Sequence, residues 1–208
     1  MFERSRKILV ATGNPGKIAE IGAMLDADVC WLGLADLPPM AEIAEDGLTF
    51  AENARKKAAG YAKASGLWTL ADDSGLVVDA LGGAPGVKSA RFSGEKLKDS
   101  DRTLIDHRNI AKTLELLKGV PEEKRTARFV CRLCLASPER ILIETEGTLE
   151  GLITDREIGH NGFGYDPIFF VPHLKKTVAQ LTREEKNAIS HRGNAIRKLN
   201  PLLTKLMS

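Results

Sequence analysis

The chain has 208 residues, with 30 Lys+Arg against 28 Asp+Glu, a net charge of +2, 43% hydrophobic residues and 28% charged residues. That length can bury a core without disulfide or metal staples, and the composition is that of a folded globular chain, one domain or two small lobes. The near-neutral charge argues against a surface built for nucleic acid or anionic membrane, no apolar stretch approaches a membrane span, and three cysteines give no disulfide framework, so the sequence reads as a soluble cytoplasmic protein.

The charged start (Glu3, Arg4, Arg6, Lys7) precedes a short apolar run, Ile8–Ala11, too brief for a signal peptide and suited to a strand buried on both faces. Thr12-Gly13-Asn14-Pro15 breaks that run, and Ile18, Ile21 and Leu25 follow at helical spacing, with Asn14 as N-cap and Pro15 as first helical residue. Val29–Leu32 reads as a second strand. Thr49-x-x-Glu52 is a capping box opening a helix to about Ala64, closed near Gly66. Thr69–Ala71 reads as a buried strand ending at Asp72-Asp73-Ser74-Gly75, with Leu76–Leu81 as another. A helix is expected over Asp101–Leu117, its stripe formed by Leu104, Ile105, Ile110, Leu114 and Leu117. Arg125–Ala136 and Ile141–Leu149 read as long strands, with a bend at Gly147 leading into another strand to Ile153. After the loop Gly159–Pro167 come a short helix capped by Thr182-x-x-Glu185 and a final helix ending near Leu206. This order argues for an α/β fold around a mixed sheet rather than repeated βαβ units.

Four segments carry candidate chemistry. Thr12-Gly13-Asn14-Pro15-Gly16-Lys17 sits at a helix N-terminus, where free N–H groups and the dipole favour phosphate. Lys17 is disfavoured by the same dipole unless an anion lies beside it; the plainer alternative is a capped turn with a solvated lysine. It is not a Walker loop, since Ile18 stands where Ser or Thr is required. In the following helix Lys57 interrupts the apolar stripe of Phe50, Ala54 and Tyr61, so it is either paired or snorkelling to water. On the stripe alone, methionine at position 57 is expected to leave the fold intact. Asp72-Asp73 places two repelling carboxylates together, which favours a cation such as Mg²⁺ nearby; a common Asp/Ser/Gly turn is the alternative. Gly159–Pro167 combines glycines with Phe163 and Tyr165, flat faces for a base, or it is a mere connector. Lys186 and Ser190-His191-Arg192 add donors, although a lone histidine such as His191 is more often structural. Cys131-x-x-Cys134 has a metal-like spacing, but on a strand residues i and i+3 face opposite ways, so the two thiols cannot share a zinc.

Taken together the segments resemble the inosine triphosphate pyrophosphatase family. The pieces are Thr12-Gly13-Asn14-x-x-Lys17, Glu45-x-Gly47-x-Thr49-Phe50-x-x-Asn53-Ala54, Ala71-Asp72-Asp73-Ser74-Gly75-Leu76, Gly82–Val87 with Ser89-Ala90-Arg91, Gly162–Pro167, Leu181-Thr182-x-Glu184-Glu185-Lys186 and Ser190–Gly193. They span about residues 7–203 in the family's order. The resemblance implies a single nucleoside-triphosphate pyrophosphatase domain over residues 1–208, an elongated mixed β-sheet with flanking helices forming two lobes around a central cleft, and a cytoplasmic homodimer. It implies Mg²⁺-dependent hydrolysis of non-standard purine triphosphates (ITP, dITP, XTP) to the monophosphate and pyrophosphate. By position, Thr12, Gly13, Asn14, Pro15, Gly16, Lys17 and Lys57 would hold the triphosphate. Glu45 and Asp73 would hold the metal, with Asp73 as base and Ser74 touching substrate. Phe163, Gly164, Tyr165, Asp166, Lys186, His191 and Arg192 would recognise the purine. The alternatives are a Maf-type pyrophosphatase acting on other modified nucleotides and a nucleotide-binding regulator without turnover. The Phe163–Pro167 and Ser190–Arg192 segments argue against the first, and the complete Glu45/Asp72/Asp73 set against the second.

Overall fold

The computed structural model describes residues 7–25, 29–94 and 102–208. Glu3, Arg4, Arg6 and the expected helix start at Asp101 lie outside the described residues. The strands are β1 (Lys7–Val10), β2 (Cys30–Gly33), β3 (Trp68–Val78), β4 (Thr126–Ala136), β5 (Ile141–Ile153), β6 (Phe169–Val171) and β7 (Lys176–Thr177); the α-helices are α1 (Pro15–Met24), α2 (Phe50–Ser65), α3 (Arg102–Leu116), α4 (Arg183–Ile189) and α5 (His191–Met207). The strand order is β2-β1-β3-β4-β5-β6-β7. β1 runs parallel to β2 and β3, whereas β6 is antiparallel to β5 and β7, so the sheet is mixed, as the element order predicts.

Contacts divide the chain into two compact units, the first made of residues 1–73, 131–147 and 191–208, the second of 74–130 and 148–190. In the first, strand alternation sorts the core into two clusters. Ile8, Val10, Leu70, Cys131, Leu133 and Leu135 pack with Ile21 of α1 and Ile196, Leu199 and Leu203 of α5. Leu9, Ala11, Ala71, Cys134 and Ala136 pack with Ala54, Ala58, Tyr61 and Ala62 of α2. Consecutive residues thus enter different clusters, the period of two expected of a strand covered on both faces. The cysteines follow the rule: Cys131 and Cys134 are buried in different clusters, and burial pushes both thiols up to about 12. In the second unit the core joins Leu76, Val78, Ile110, Leu149, Ile153 and Ile168, with Phe129 and Phe169 stacked at 4.3 Å between ring centroids.

The helix signals hold locally. Asn14 Oδ1 accepts the Lys17 amide at 3.3 Å, and Pro15 opens α1. Thr49 and Glu52 form a reciprocal capping box, and Gly66 ends α2 with φ of +71°. Three expectations are corrected. Asp72-Asp73-Ser74-Gly75 is not a turn between two strands but the middle of β3. The chain stays extended there because Gly75 lets the neighbouring backbone close in: a Cβ would lie 2.8 Å from the Gly86 carbonyl, and Ser89 Oγ accepts the Leu76 amide at 2.9 Å. Gly147 does not divide β5, which runs unbroken for 13 residues; it is glycine because a Cβ would overlap the His191 carbonyl and the Ala195 nitrogen at the start of α5. Leu104 is 45% exposed rather than part of the α3 stripe, where Asn109 and Thr113 are buried instead.

Candidate functional site

The first unit holds a buried cluster of alternating charges. Adjacent β3 residues point to opposite faces, so Asp72 and Asp73 are divided between two sets of partners. Asp72 faces α1 and α5. Lys17 Nζ lies 2.8 Å from its Oδ2, Arg192 Nη2 lies 3.4 Å from the same oxygen, and the Arg192 guanidinium also pairs with Glu20. Asp73 faces α2 and the acidic loop before it. Asn53 Nδ2 donates to Asp73 Oδ2 at 3.0 Å while Asn53 Oδ1 accepts the Gly47 amide at 2.8 Å. One amide therefore ties the loop that carries Glu45 to Asp73. Lys57 Nζ lies 3.1 Å from Glu45 Oε1 and 4.0 Å from Asp73 Oδ1.

The electrostatics separate the two aspartates. Burial alone would lift the Asp72 carboxyl, but Lys17, then Arg192 and Lys57, outweigh it and hold the group well below the usual carboxylate range. For Asp73 burial dominates and raises the carboxyl above its ordinary value despite Lys57, Lys17 and the Asn53 hydrogen bond. Burial would lower Lys57, yet Asp72, Asp73 and Glu45 raise it, so the ammonium stays charged while almost wholly buried. Lys57 is thus an ion-paired lysine and not a snorkelling one, and the partner of Lys17 in the first helical turn is Asp72. Asp72 is locked as an anion, while Asp73 has the higher proton affinity.

The second unit holds the aromatic loop. Asp166 Oδ2 accepts the Phe163 amide at 2.9 Å and Lys186 Nζ at 2.6 Å, closing a turn that needs Gly162 at φ +79°, where a Cβ would collide with the same carboxylate. Lys186 Nζ stands 4.5 Å from the centroid of the half-exposed Phe163 ring. Tyr165 is buried, and its hydroxyl donates to the Ser89 carbonyl at 2.9 Å, so it holds the loop down. Gly164, at φ +60°, donates its amide to Asp106 Oδ2 at 2.8 Å.

Of the residues singled out in the sequence, Lys17, Glu45, Lys57 and Asp73 come together in the first cluster, next to half-buried Thr12 and Asn14 and the exposed backbone of Gly13. Phe163, Gly164, Tyr165, Asp166 and Lys186 come together in the second unit, to which half-buried Ser74 also belongs. His191 and Arg192 open α5 in the first unit, both buried, and Arg192 is committed to Glu20 and Asp72. Sequence reasoning missed Glu20, Asn53 as a site residue, and Asp106. Glu20 had a signal: it stands three residues after Lys17, on the same helical face. Asn53 had one in its place within the Glu45–Ala54 motif; Asp106 had none, since a polar residue on a helix is ordinarily solvated.

No helix of the described residues is long and apolar enough to cross a membrane. The Ham1 family model matches residues 8–202. A protein of Desulforamulus reducens named dITP/XTP pyrophosphatase is 47% identical over 201 residues, covering 96% of each chain. One of Geobacter sulfurreducens with the same name is 50% identical over 191 residues, 91% of this chain and 92% of that one. Among solved structures, the Staphylococcus aureus Ham1 protein superposes with a TM-score of 0.84 at 42% identity, covering 96% of this chain and 99% of its own. A Mycobacterium abscessus structure titled nucleoside-triphosphatase / dITP/XTP pyrophosphatase gives 0.75 at 45% identity, over 94% of this chain and 99% of its own. These matches bear out the resemblance drawn from the motifs.

Proposed function

The chain belongs to the Ham1 family, and from that premise we propose that it hydrolyses non-standard purine nucleoside triphosphates (ITP, dITP and XTP) to the monophosphate and pyrophosphate. The observation that carries this reading is the pair of cations, half-buried Lys17 and buried Lys57, set against carboxylates of unequal proton affinity in one cluster. Cleavage between the α and β phosphates needs an oriented water, a proton acceptor and cations on the developing charge. Asp73 is the acceptor: its raised affinity brings it nearer the operating pH, and Asn53 fixes its second oxygen. Lys17 and Lys57, with the Thr12–Gly16 segment that leads into α1, clamp the phosphates. Asp72, held as an anion by Lys17 and then Arg192, is the fixed partner that braces Lys17.

The donor set suits Mg²⁺. Glu45 and Asp73 are hard oxygen donors that share Lys57 and are tied through Asn53, and no group of three or more His, Cys, Asp or Glu among the described residues could hold a metal by itself. One or two carboxylates completed by substrate phosphate and water is how Mg²⁺ is usually held, and when bound it would neutralise phosphate charge. The half-exposed Phe163 face stacks the base, Gly164, Tyr165, Asp166 and Lys186 fix the loop and its polar edge, Ser74 and His191 contact substrate, and Arg192, committed to Glu20 and Asp72, acts through Asp72. Donors placed for a 6-oxo group meet the 6-amino group of adenine unpaired, at about 1–3 kcal/mol each. We take the whole chain as one functional domain, working as a cytoplasmic homodimer.

The test is product analysis across ITP, XTP, ATP, GTP and dTTP, with and without Mg²⁺. Pyrophosphate released from ITP and XTP, and only with the metal, is expected. Orthophosphate with a diphosphate product, or equal rates on ATP, would refute the reading, and a preference for dTTP would favour the Maf-type alternative.

A further inference from the structure

We infer that Asp106 is a positioning residue for base recognition, acting through the backbone of the aromatic loop; this rests on the reading of Phe163 as the base-stacking face. Asp166 accepts the Phe163 amide within the loop and Lys186 from α4. The loop's start is tied to the Ala179 carbonyl by the His160 and Asn161 amides and to the Leu181 carbonyl by Asn161 Nδ2. The residues just after Phe163 are held from one face of α3. Asp106 accepts the Gly164 amide at 2.8 Å. Asn109, three residues on and on the same helical face, donates to the Ser89 carbonyl at 3.2 Å, the oxygen that also accepts the Tyr165 hydroxyl at 2.9 Å. Asn109 Oδ1 in turn accepts the Ser93 amide at 2.7 Å, so this second anchor is rigid.

Phe163 therefore has a fixed neighbour on its C-terminal side at two successive residues, Gly164 by its amide and Tyr165 by its hydroxyl. Gly164 sits at φ +60° and a Cβ there would meet nothing within 4 Å, so no neighbouring group abuts its Cα on that side. The Asp106 carboxylate is the group that holds its amide. A carboxylate accepting a backbone amide is a charge-assisted bond, about twice the strength of a neutral one. Asp106 is half-buried and desolvation raises its carboxyl, so the acid is kept there against a solvation cost that a merely solvated helix residue would not bear. Losing it frees the Gly164 peptide and lets the Phe163 ring sample orientations that do not stack on a purine.

The experiment compares Asp106→Ala, Asp106→Asn and Phe163→Ala with the unmodified enzyme, by initial rates on ITP and ATP, inhibition by inorganic tripolyphosphate, and thermal melting. For Asp106→Ala the KM for ITP is expected to rise about tenfold, equivalent to about 1.4 kcal/mol. Its kcat should change less than about threefold, and the preference for ITP over ATP should shrink. Tripolyphosphate inhibition should stay unchanged, because that ligand has no base. Asp106→Asn keeps an acceptor for the Gly164 amide and should restore most of the KM. Should Asp106→Ala not fold, Asp106→Leu, which fills the volume without offering an acceptor, carries the same comparison. If Phe163→Ala raises the KM and Asp106→Ala does not, the inference is wrong and the base-loop reading stands. If Phe163→Ala leaves the KM unchanged, the base-loop reading fails and takes the inference with it. If Asp106→Ala weakens tripolyphosphate as much as ITP, Asp106 is structural and the inference is likewise overturned.

Discussion

Replacing Lys57 with methionine tests the charged cluster most directly, because two ways of looking at the residue predict opposite results. Its place on the α2 stripe predicts tolerance, since methionine packs well among Ala54, Tyr61 and their neighbours. The ion pairs predict damage. At 4.0 Å from Asp73, attraction between unit charges is about 4 kcal/mol at an effective dielectric of 20. Glu45, at 3.1 Å, is 36% exposed, so water replaces much of what it loses. Removing one member of a buried pair typically costs about 3–5 kcal/mol. Proton uptake and water entry recover part of that here, leaving a loss of about 2–4 kcal/mol. At roughly 2–4 °C per kcal/mol for a chain of this size, melting should drop by roughly 4–16 °C. The assay is thermal unfolding followed by circular dichroism at neutral pH, with tripolyphosphate affinity measured in parallel. A melting temperature that holds or rises would show that the buried ammonium is a net liability and that the cluster is not held together by Lys57.

Asp73→Asn should keep the fold, because the amide oxygen still accepts from Asn53, and should lower ITP turnover at least about a hundredfold; retention within a few-fold would make Asp72 or Glu45 the better base. Arg192→Leu leaves Glu20 and Asp72 buried without their guanidinium and should cost about 3–5 kcal/mol in denaturant unfolding, a loss absent if the arginine only touches substrate. Gly147→Ala should cost about 3 kcal/mol or more, since the obstacle is α5 backbone rather than a movable side chain; a stable variant would mean that α5 shifts easily. Of the three thiols, only partly exposed Cys30 should react with an aromatic disulfide reagent in the native protein at pH 8, with Cys131 and Cys134 appearing on unfolding; early release of either would contradict their burial.

Much of the fold was legible because its signals are local. Asn14-Pro15, the Thr49/Glu52 and Thr182/Glu185 boxes, and Gly66 each act within one turn of helix, so the residues that fix the element lie inside the window being read. The errors share a cause of the opposite kind. Asp72–Gly75 has turn composition, yet the strand continues because Ser89 accepts the Leu76 amide from thirteen residues away. Gly147 has the look of a bend, but the reason for it is the backbone at residues 191 and 195. Glycine marks a place where something comes close or the chain turns, and the sequence does not say which.

The site divides along the same line. A charge in the wrong place was readable: Lys17 against a helix dipole and Lys57 in an apolar stripe each pointed to a partner, since a buried cation is unstable without one. The identity of that partner was not. The resemblance made it a polyanion for both lysines; the structure adds Asp72 beside the first and Glu45 with Asp73 beside the second. This changes what the lysines can be said to do. A lysine paired only with a ligand is held only while that ligand is bound, whereas one braced on a carboxylate of its own chain is held without it. Asp72, itself pinned between Arg192 and Lys17, provides that brace while its neighbour Asp73, turned to the opposite face by strand alternation, keeps the raised proton affinity that a base requires. Two adjacent identical residues thus differ in proton affinity, as the proposed base and a fixed anion beside it require, and their division follows from β3 running straight through the pair.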